Sequence, residues 1–287
     1  MGSFSILNNI AGINAQQQLN INNVNLTRTL LRLSSGKRIN SGADDAAGLQ
    51  IADTLRANIR AIDQAVRNAN DGIAVAQIAD GTLQELTNIL TRAVTLAEES
   101  SNGTIDQSGR DSIQQEWVQI QAEVARIATQ TNFNGRALFT TGGLNGNLSI
   151  FVGDISSQSS IAVAINTISV NAAGTSATLG GVDLSQLSLS SLPAARTSLQ
   201  GIKTALASIA SNRGTIGAGI NRLQAAVSVL MNQSQNSQAA ESTIRDANVA
   251  EEVSNLTKYQ ILAQSGLAAL AQANATSQNT LSLLRGQ

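Results

Sequence analysis

Apolar residues recur three and four positions apart along most of the chain. Leu55, Ile59, Ile62, Val66, Ala69, Ile73, Ala76, Leu83, Leu90, Val94 and Ala97 make one stripe, interrupted by Asp80 and Thr87. Ile113, Trp117, Ile120, Val124 and Ile127 make a second. Leu206, Ile209, Ile216, Ile220, Leu223, Val227 and Leu230 make a third, with Arg213 in one slot. Val253, Leu256, Ala263, Leu267, Leu270, Leu281 and Leu284 continue the lattice at the C-terminus. This spacing predicts helices that share apolar seams, as coiled coils or as bundle helices. Residues 196–284 read as nearly continuous helix, which at ~1.5 Å per residue reaches on the order of 130 Å. A globular domain of this mass has no such dimension. The expectation is a mainly α, elongated rod of long coiled-coil-like helices, its N- and C-terminal segments paired.

The middle of the chain has a different period. Leu148, Ile150 and Val152 alternate, as do Ile161, Val163 and Ile165, with Gly142-Gly143, Gly153-Asp154, Gly174 and Gly180-Gly181 between and around them. These predict short strands and turns, a small β-hairpin insert. Pro193, the single proline, sits where helical spacing resumes and suits a first helical turn.

Composition narrows what such a chain can do. Its 287 residues carry 18 Lys+Arg and 19 Asp+Glu, for a net charge of -1, which argues against nucleic-acid binding. There is no Cys and no His, which excludes disulfides, thiolate nucleophiles, His-based triads and zinc sites. Aromatics are 2% of residues while small aliphatics dominate, which suits helices packed side by side. No apolar run exceeds about five residues, far short of the ~20 a membrane-spanning helix needs. Charge is unevenly placed: residues 1–27 and 259–284 carry none, and 137–195 carry only Asp154 and Asp183.

Three local patterns invite chemistry and do not support it. Ser34-Ser35-Gly36-Lys37-Arg38 has Leu31 and Arg38 where a phosphate loop needs Gly and Ser or Thr, so it reads as a helix break. Asp44-Asp45 lacks further ligands and reads as the start of a helix, capped by acidic side chains. Gly214, Gly217 and Gly219 follow no strand, with Arg222 at the third fingerprint position, and read as softening a long helix.

The run Arg32-Leu33-Ser34-Ser35-Gly36-Lys37-Arg38-Ile39-Asn40-Ser41-Gly42-Ala43-Asp44-Asp45-Ala46-Ala47-Gly48-Leu49 resembles bacterial flagellin. So do Asn68–Ile73, Ala79–Leu83, Thr131–Gly135, Ile244–Asn248, Gln260–Gly266, Leu270–Asn274 and Leu281–Arg285, in the family's order. The likeness covers roughly residues 1–140 and 193–285, and none is seen over 141–192.

The resemblance implies a non-enzymatic subunit, exported unfolded by the flagellar type III apparatus, that stacks into a hollow helical filament outside the cell. The related alternative is the hook–filament junction protein. Residues 1–44 with 246–287 would be terminal helices of an inner tube, and 45–140 with 193–245 a surrounding helical layer. Residues 141–192 would be a variable β insert, too small for an outer domain, giving a thin, smooth filament. Leu7, Ile10, Ile21, Val24, Leu31, Val253, Leu256, Leu267, Leu270, Leu281 and Leu284 would form the assembly stripe. Helices so weakly patterned are marginal in isolation and would be disordered before assembly. Implied partners are further copies of the chain, an export chaperone, junction and cap proteins, and a host Toll-like receptor. Neither nucleic acid nor membrane insertion is implied, and no cofactor or metal.

The family's receptor-contact pattern falls on Arg92, Leu96 and Glu116. Arg92 and Leu96, four apart, would share a helix face; the alternative is a core Leu96 beside a surface Arg92–Glu116 pair. Thr91, Val94 and Thr95 depart from the family pattern, which implies weaker signalling. Ser156–Ser160 and Thr175–Thr178 are the expected solvent-facing, O-glycosylated stretches.

Overall fold

The computed structural model describes residues 9–139, 148–153, 159–166, 168–170 and 177–285, with side chains through Asn279. It is mainly helical: α1 (Ile10–Ser35), α2 (Ala46–Ser100), α3 (Gln107–Gln130), α4 (Leu192–Arg245) and α5 (Val249–Arg285). Between α3 and α4 lie β1 (Asn132–Phe133), β2 (Arg136–Ala137), β3 (Leu148–Phe151), β4 (Ser160–Val163), β5 (Ser169–Val170), β6 (Ala177–Leu179), β7 (Val182–Asp183) and a 3-10 turn, Leu184–Gln186. Pro193 occupies the first turn of α4. The chain divides into two compact units, residues 1–57 with 236–287, and residues 58–235.

In the first unit α1 and α5 pair. Asn9 caps α1 by accepting from the Gly12 N–H at 2.9 Å, and Gly36 ends it in the left-handed conformation at φ 68°. Asp45 caps α2, its Oδ1 accepting from the Gly48 N–H at 2.9 Å. The nearly continuous helix expected over 196–284 is broken at 246–248. There Arg38 N–H donates to the Arg245 carbonyl at 2.7 Å, and Ala247 N–H to the Gly36 carbonyl at 3.0 Å. Asn248 then recaps the chain, accepting from the Ala250 N–H at 3.2 Å. Neither Pro nor Gly stands at the break, so no helix-stop signal marks it in the sequence. Ion pairs Arg56–Glu241 (3.0 Å) and Arg245–Asp53 (3.2 Å) fasten the start of α2 to the end of α4.

The second unit holds one core, built from α2, α3, α4 and the insert. Trp117 is fully buried and donates its indole N–H to the Leu187 carbonyl at 2.9 Å. Two of the polar slots in the stripes explain each other: Arg213 Nε donates to Asp80 Oδ1 at 2.8 Å, and a second guanidinium nitrogen binds Gln84. That hydrogen bond to Asp80 raises the Arg213 pKa further.

The insert forms hairpins, as the alternation predicts. β3 and β4 pair antiparallel with Leu148 opposite Val163 and Ile150 opposite Ile161. β1 and β2 turn through Asn134 (φ 50°) and Gly135 (φ 75°), an Asn-Gly hairpin turn. A three-stranded sheet orders β5-β6-β7. The insert is seated on helical glycines. A Cβ on Gly72 of α2 would lie 2.1 Å from Ile150 Cδ1, and one on Gly219 of α4 would lie 2.9 Å from Val163 Cγ1. Gly219 therefore admits a strand residue and does not merely loosen α4, whereas Gly214 and Gly217 face open space.

The segment after β7 has little pairing of its own, and helix side chains satisfy its backbone. Gln121 of α3 donates to the Leu184 carbonyl and Ser100 of α2 to the Leu189 carbonyl. Ser198 of α4 accepts from the Ser188 N–H at 2.9 Å and donates to its carbonyl at 2.8 Å.

Gly72→Ala should destabilise this unit by ~1–3 kcal/mol, because Ile150 has to shift in a filled core. Gly81, also in α2, has nothing within 4 Å of its added Cβ. Gly81→Ala should stabilise by ~0.5–1 kcal/mol through helix propensity alone. Thermal melts followed by helical circular dichroism should move in opposite directions for the two variants.

Candidate assembly surface

Helices α1 and α5 run antiparallel, with Arg32 against Glu252, Leu19 against Gly266 and Asn9 against Ala273. Their seam is narrow. On α1, the less exposed positions include Gly12, Ala15, Leu19, Asn22, Leu26 and Thr29; on α5 they include Leu256, Tyr259, Ala263, Gly266, Leu270 and Ala273. Small and neutral residues let the backbones approach but cover little apolar surface.

Several larger side chains turn outward instead. Ile10 is 63% exposed, Val24 58%, Leu31 54% and Leu267 56%, with Ile21 and Val253 also exposed. The C-terminal stripe thus divides: Leu256 and Leu270 line the seam, while Val253 and Leu267 face away from it. Spacing cannot assign an inner face when apolar residues surround the helix. Ile13, Leu30, Ile261 and Leu262 join the exposed set and had no stripe to mark them. Leu7, and the side chains of Leu281 and Leu284, lie outside the described residues. Val24 and Leu31 also line an open groove of about 470 Å³, with Thr27, Arg28, Ala43 and Asp44.

Asp44 orders the turn beside this groove. Its Oδ2 accepts from the Asn40 and Ser41 N–H groups at 3.2 and 3.1 Å, and Arg28 lies 3.8 Å from Oδ1. Burial opposes the Asp44 carboxylate, but those backbone bonds, the Ser41 hydroxyl and the Arg32 charge outweigh it. The net effect holds its pKa below the ordinary carboxylate value.

In the second unit, Arg92 Nε donates to Glu116 Oε1 at 2.9 Å, linking α2 to α3. Both side chains are largely exposed. Leu96 is 2% exposed and belongs to the core. Four residues advance a helix by about 400°, and the offset of about 40° carries Leu96 below the surface while Arg92 stays above it. The arrangement is a core Leu96 beside a surface Arg92–Glu116 pair, with only Arg92 of the two helix neighbours exposed. Ser159 and Ser160 are exposed and Thr178 is half-buried, while Ser156, Ser157, Thr175 and Ser176 lie outside the described residues.

Among the described residues no group of acidic side chains could hold a metal ion, and no helix is long and apolar enough to cross a membrane. Long helices that pair at the chain ends and present their larger apolar side chains to the outside define a self-associating structural protein. Known sequences agree. The bacterial flagellin N-terminal helical region matches residues 6–142, and the bacterial flagellin C-terminal helical region matches 199–284. Flagellin FlaB1 of Treponema pallidum is 39% identical across 98% of this chain and 99% of its own length. A 31.3 kDa flagellar filament core protein of Treponema maltophilum is 38% identical over the same shares. Flagellin of Halalkalibacterium halodurans is 35% identical, again over 98% and 99%. The chain belongs to the bacterial flagellin family, and it is a structural protein of the flagellar filament, not an enzyme.

Two measurements check this geometry. Leu96→Ala should cost ~2–5 kcal/mol of stability as a core truncation, whereas Arg92→Ala should cost ~1 kcal/mol or less, as exposed ion pairs do; urea unfolding compares them. For Asp44 the folded pKa is depressed. Its contribution is therefore present above the unfolded carboxylate pKa of ~4 and lost as pH falls through the folded value. The difference in urea midpoint between wild type and Asp44→Asn should shrink as pH drops below about 4.

Proposed function

We propose that the chain polymerises into a hollow flagellar filament by burying the outward faces of α1 and α5 against neighbouring copies. The observation that carries this is the exposure of Ile10, Ile13, Val24, Leu31, Ile261 and Leu267 on helices whose mutual seam is narrow. Fully burying one such side chain from water contributes ~1.5–3 kcal/mol, and the half-exposed set on each subunit offsets part of the cost of association. Neutral ends suit helices surrounded by copies of themselves, because an unpaired charge there would be costly to desolvate. Residues 1–44 with 246–287 form the inner tube, and 45–140 with 193–245 the layer around it. The insert, 141–192, lies outermost and carries any O-linked glycan near Ser159 and Ser160.

The subunit leaves the cell unfolded, through the flagellar type III route, and its filament is extracellular. An export chaperone, the hook-junction proteins and the cap are its partners on the way. The alternative of a junction protein is disfavoured by end-to-end likeness to proteins named as flagellins and filament core proteins. A Toll-like receptor of an animal host contacts the exposed Arg92–Glu116 pair, with Leu96 bracing the helices beneath it, and Thr91, Val94 and Thr95 weaken that contact.

Deleting residues 1–27 should leave a soluble, largely helical monomer that forms no filament under negative-stain microscopy; filaments of normal appearance would refute the proposal. In a receptor reporter assay, monomer should signal more weakly than a flagellin matching the full pattern. Arg92→Ala should lower that signal further, and an unchanged signal would remove Arg92 from the contact.

A further inference from the structure

Residues 101–106 join α2 to α3, and Asn102-Gly103 lies exposed in this turn. Asparagine is a thermolabile residue, most of all before glycine, whose nitrogen no side chain shields from the asparagine amide carbon. Several groups around Asn102 are placed for that reaction. The Gly103 N–H donates to no protein group among the described residues, so solvent base can reach it. Nothing lies within 4 Å of a Cβ built on Gly103, so the nitrogen is unhindered. Asn102 Oδ1, where negative charge develops during attack, accepts from the Thr104 N–H at 3.2 Å. A donor already aimed at developing charge stabilises it. The Asn102 main-chain carbonyl accepts from Arg110 Nη2 at 3.1 Å and from the Ile105 N–H at 3.4 Å. Arg110 Nε is fixed on the Ser100 carbonyl at 3.2 Å.

We propose that Asn102 is a self-modifying site, which loses its side-chain amide to water through an imide with Gly103, and that Arg110 directs the product toward the isoaspartyl linkage. Solvent base takes the Gly103 amide proton, and the nitrogen attacks Asn102 Cγ. The new C–N bond forms as the Cγ–Nδ2 bond breaks, and ammonia leaves with a proton from water. Water then adds to one imide carbonyl, breaks its C–N bond and returns a proton to the glycine nitrogen. The net change is one water in and one ammonia out, with no oxidation or reduction. Opening at Cγ gives aspartate. Opening at the main-chain carbonyl gives isoaspartate, with the chain running through Cβ and Cγ. Arg110 donates to that main-chain oxygen, which carries the negative charge as water attacks there and belongs to the free carboxylate afterwards.

Other pairs of this kind are shielded by the fold. Asp71-Gly72 and Asp80-Gly81 lie inside α2, where the glycine N–H groups belong to the helical ladder. Asn134-Gly135 turns the β1–β2 hairpin at φ 50° and 75°, with Phe133 paired to Arg136 directly around it. Bringing the Gly135 nitrogen onto the Asn134 side chain would rotate the Asn134 main chain and part that pair.

The test ages the full-length, unpolymerised chain in warm, mildly alkaline buffer, folded and in guanidinium. Tryptic peptides, which separate Asn102 from Asn134, are followed by mass spectrometry, and isoaspartate by labelling with an isoaspartyl methyltransferase. In the folded chain Asn102 should convert at least as fast as in the unfolded chain. Asn134, Asp71 and Asp80 should stay intact until the chain is unfolded. Gly103 has an unstrained φ and open surroundings, so Gly103→Ala should keep the helicity and lose the conversion. The isoaspartyl share should be higher folded than unfolded, and Arg110→Gln should lower it. Slower conversion of Asn102 in the folded chain would overturn the proposal, as would equal conversion of Asn134 there or an unchanged rate in Gly103→Ala. An isoaspartyl share that folding leaves unchanged would remove Arg110 from the reaction, and that comparison decides the point even if Arg110→Gln fails to fold.

Discussion

Helices α1 and α5 meet along a seam too narrow to hide their own larger side chains. Gly12, Ala15, Ala263, Gly266 and Ala273 bring the two backbones together, and Ile10, Val24, Leu31 and Leu267 are left facing water. A monomer arranged this way carries exposed apolar surface that further copies can cover. The absence of charge over 1–27 and 259–284 suits the proposed assembly, in which any charge placed there would have to be desolvated. The chain ends are therefore simple in composition for a physical reason, and their few charged residues stand out against that background.

The second unit solves the opposite problem. Its helices bury their apolar stripes within the chain, and the insert completes the core instead of standing apart from it. Ile150, Val152, Val163, Ile165, Leu184 and Leu189 are all buried there. Glycines on the helices make this possible, since Gly72 and Gly219 accept Ile150 and Val163 where any Cβ would collide. The backbone of 184–189 is carried by Ser100, Gln121 and Ser198 from three different helices. An insert so fastened contributes to a self-sufficient core, while the paired termini leave larger apolar side chains exposed.

Much of the fold was legible in the sequence. The stripe from Leu55 to Ala97, the Ile113–Ile127 stripe and the alternation around Ile150 and Val163 each became the expected helix or hairpin. The family could be read from contiguous motifs, because runs such as Arg32–Leu49 hold a helix end, a turn and a cap in fixed succession. Asp45 caps as its position suggested, and Pro193 begins α4. Of the assembly stripe, only the existence of apolar positions was legible. Which of them turn inward depends on the rotation of α5 about its own axis, and residues apolar on every side leave that rotation unspecified.

The sequence by itself determined that this is a long-helix, cysteine-free, uncharged-ended structural chain, because periodicity and composition are properties of neighbours along the chain. The tertiary structure decided what depends on partners distant in sequence. It placed Asp80 with Arg213, turning two flaws in separate stripes into one contact. It broke the helix at 246–248, where hydrogen bonds to Gly36 and Arg38 compete with helical ones. It sank Leu96 and left Arg92 with Glu116 on the surface. It also set Arg32 against Glu252, far apart along the chain. No local pattern encodes such pairings, because they arise only when two faces, each tolerable alone, are pressed together and water is excluded from between them.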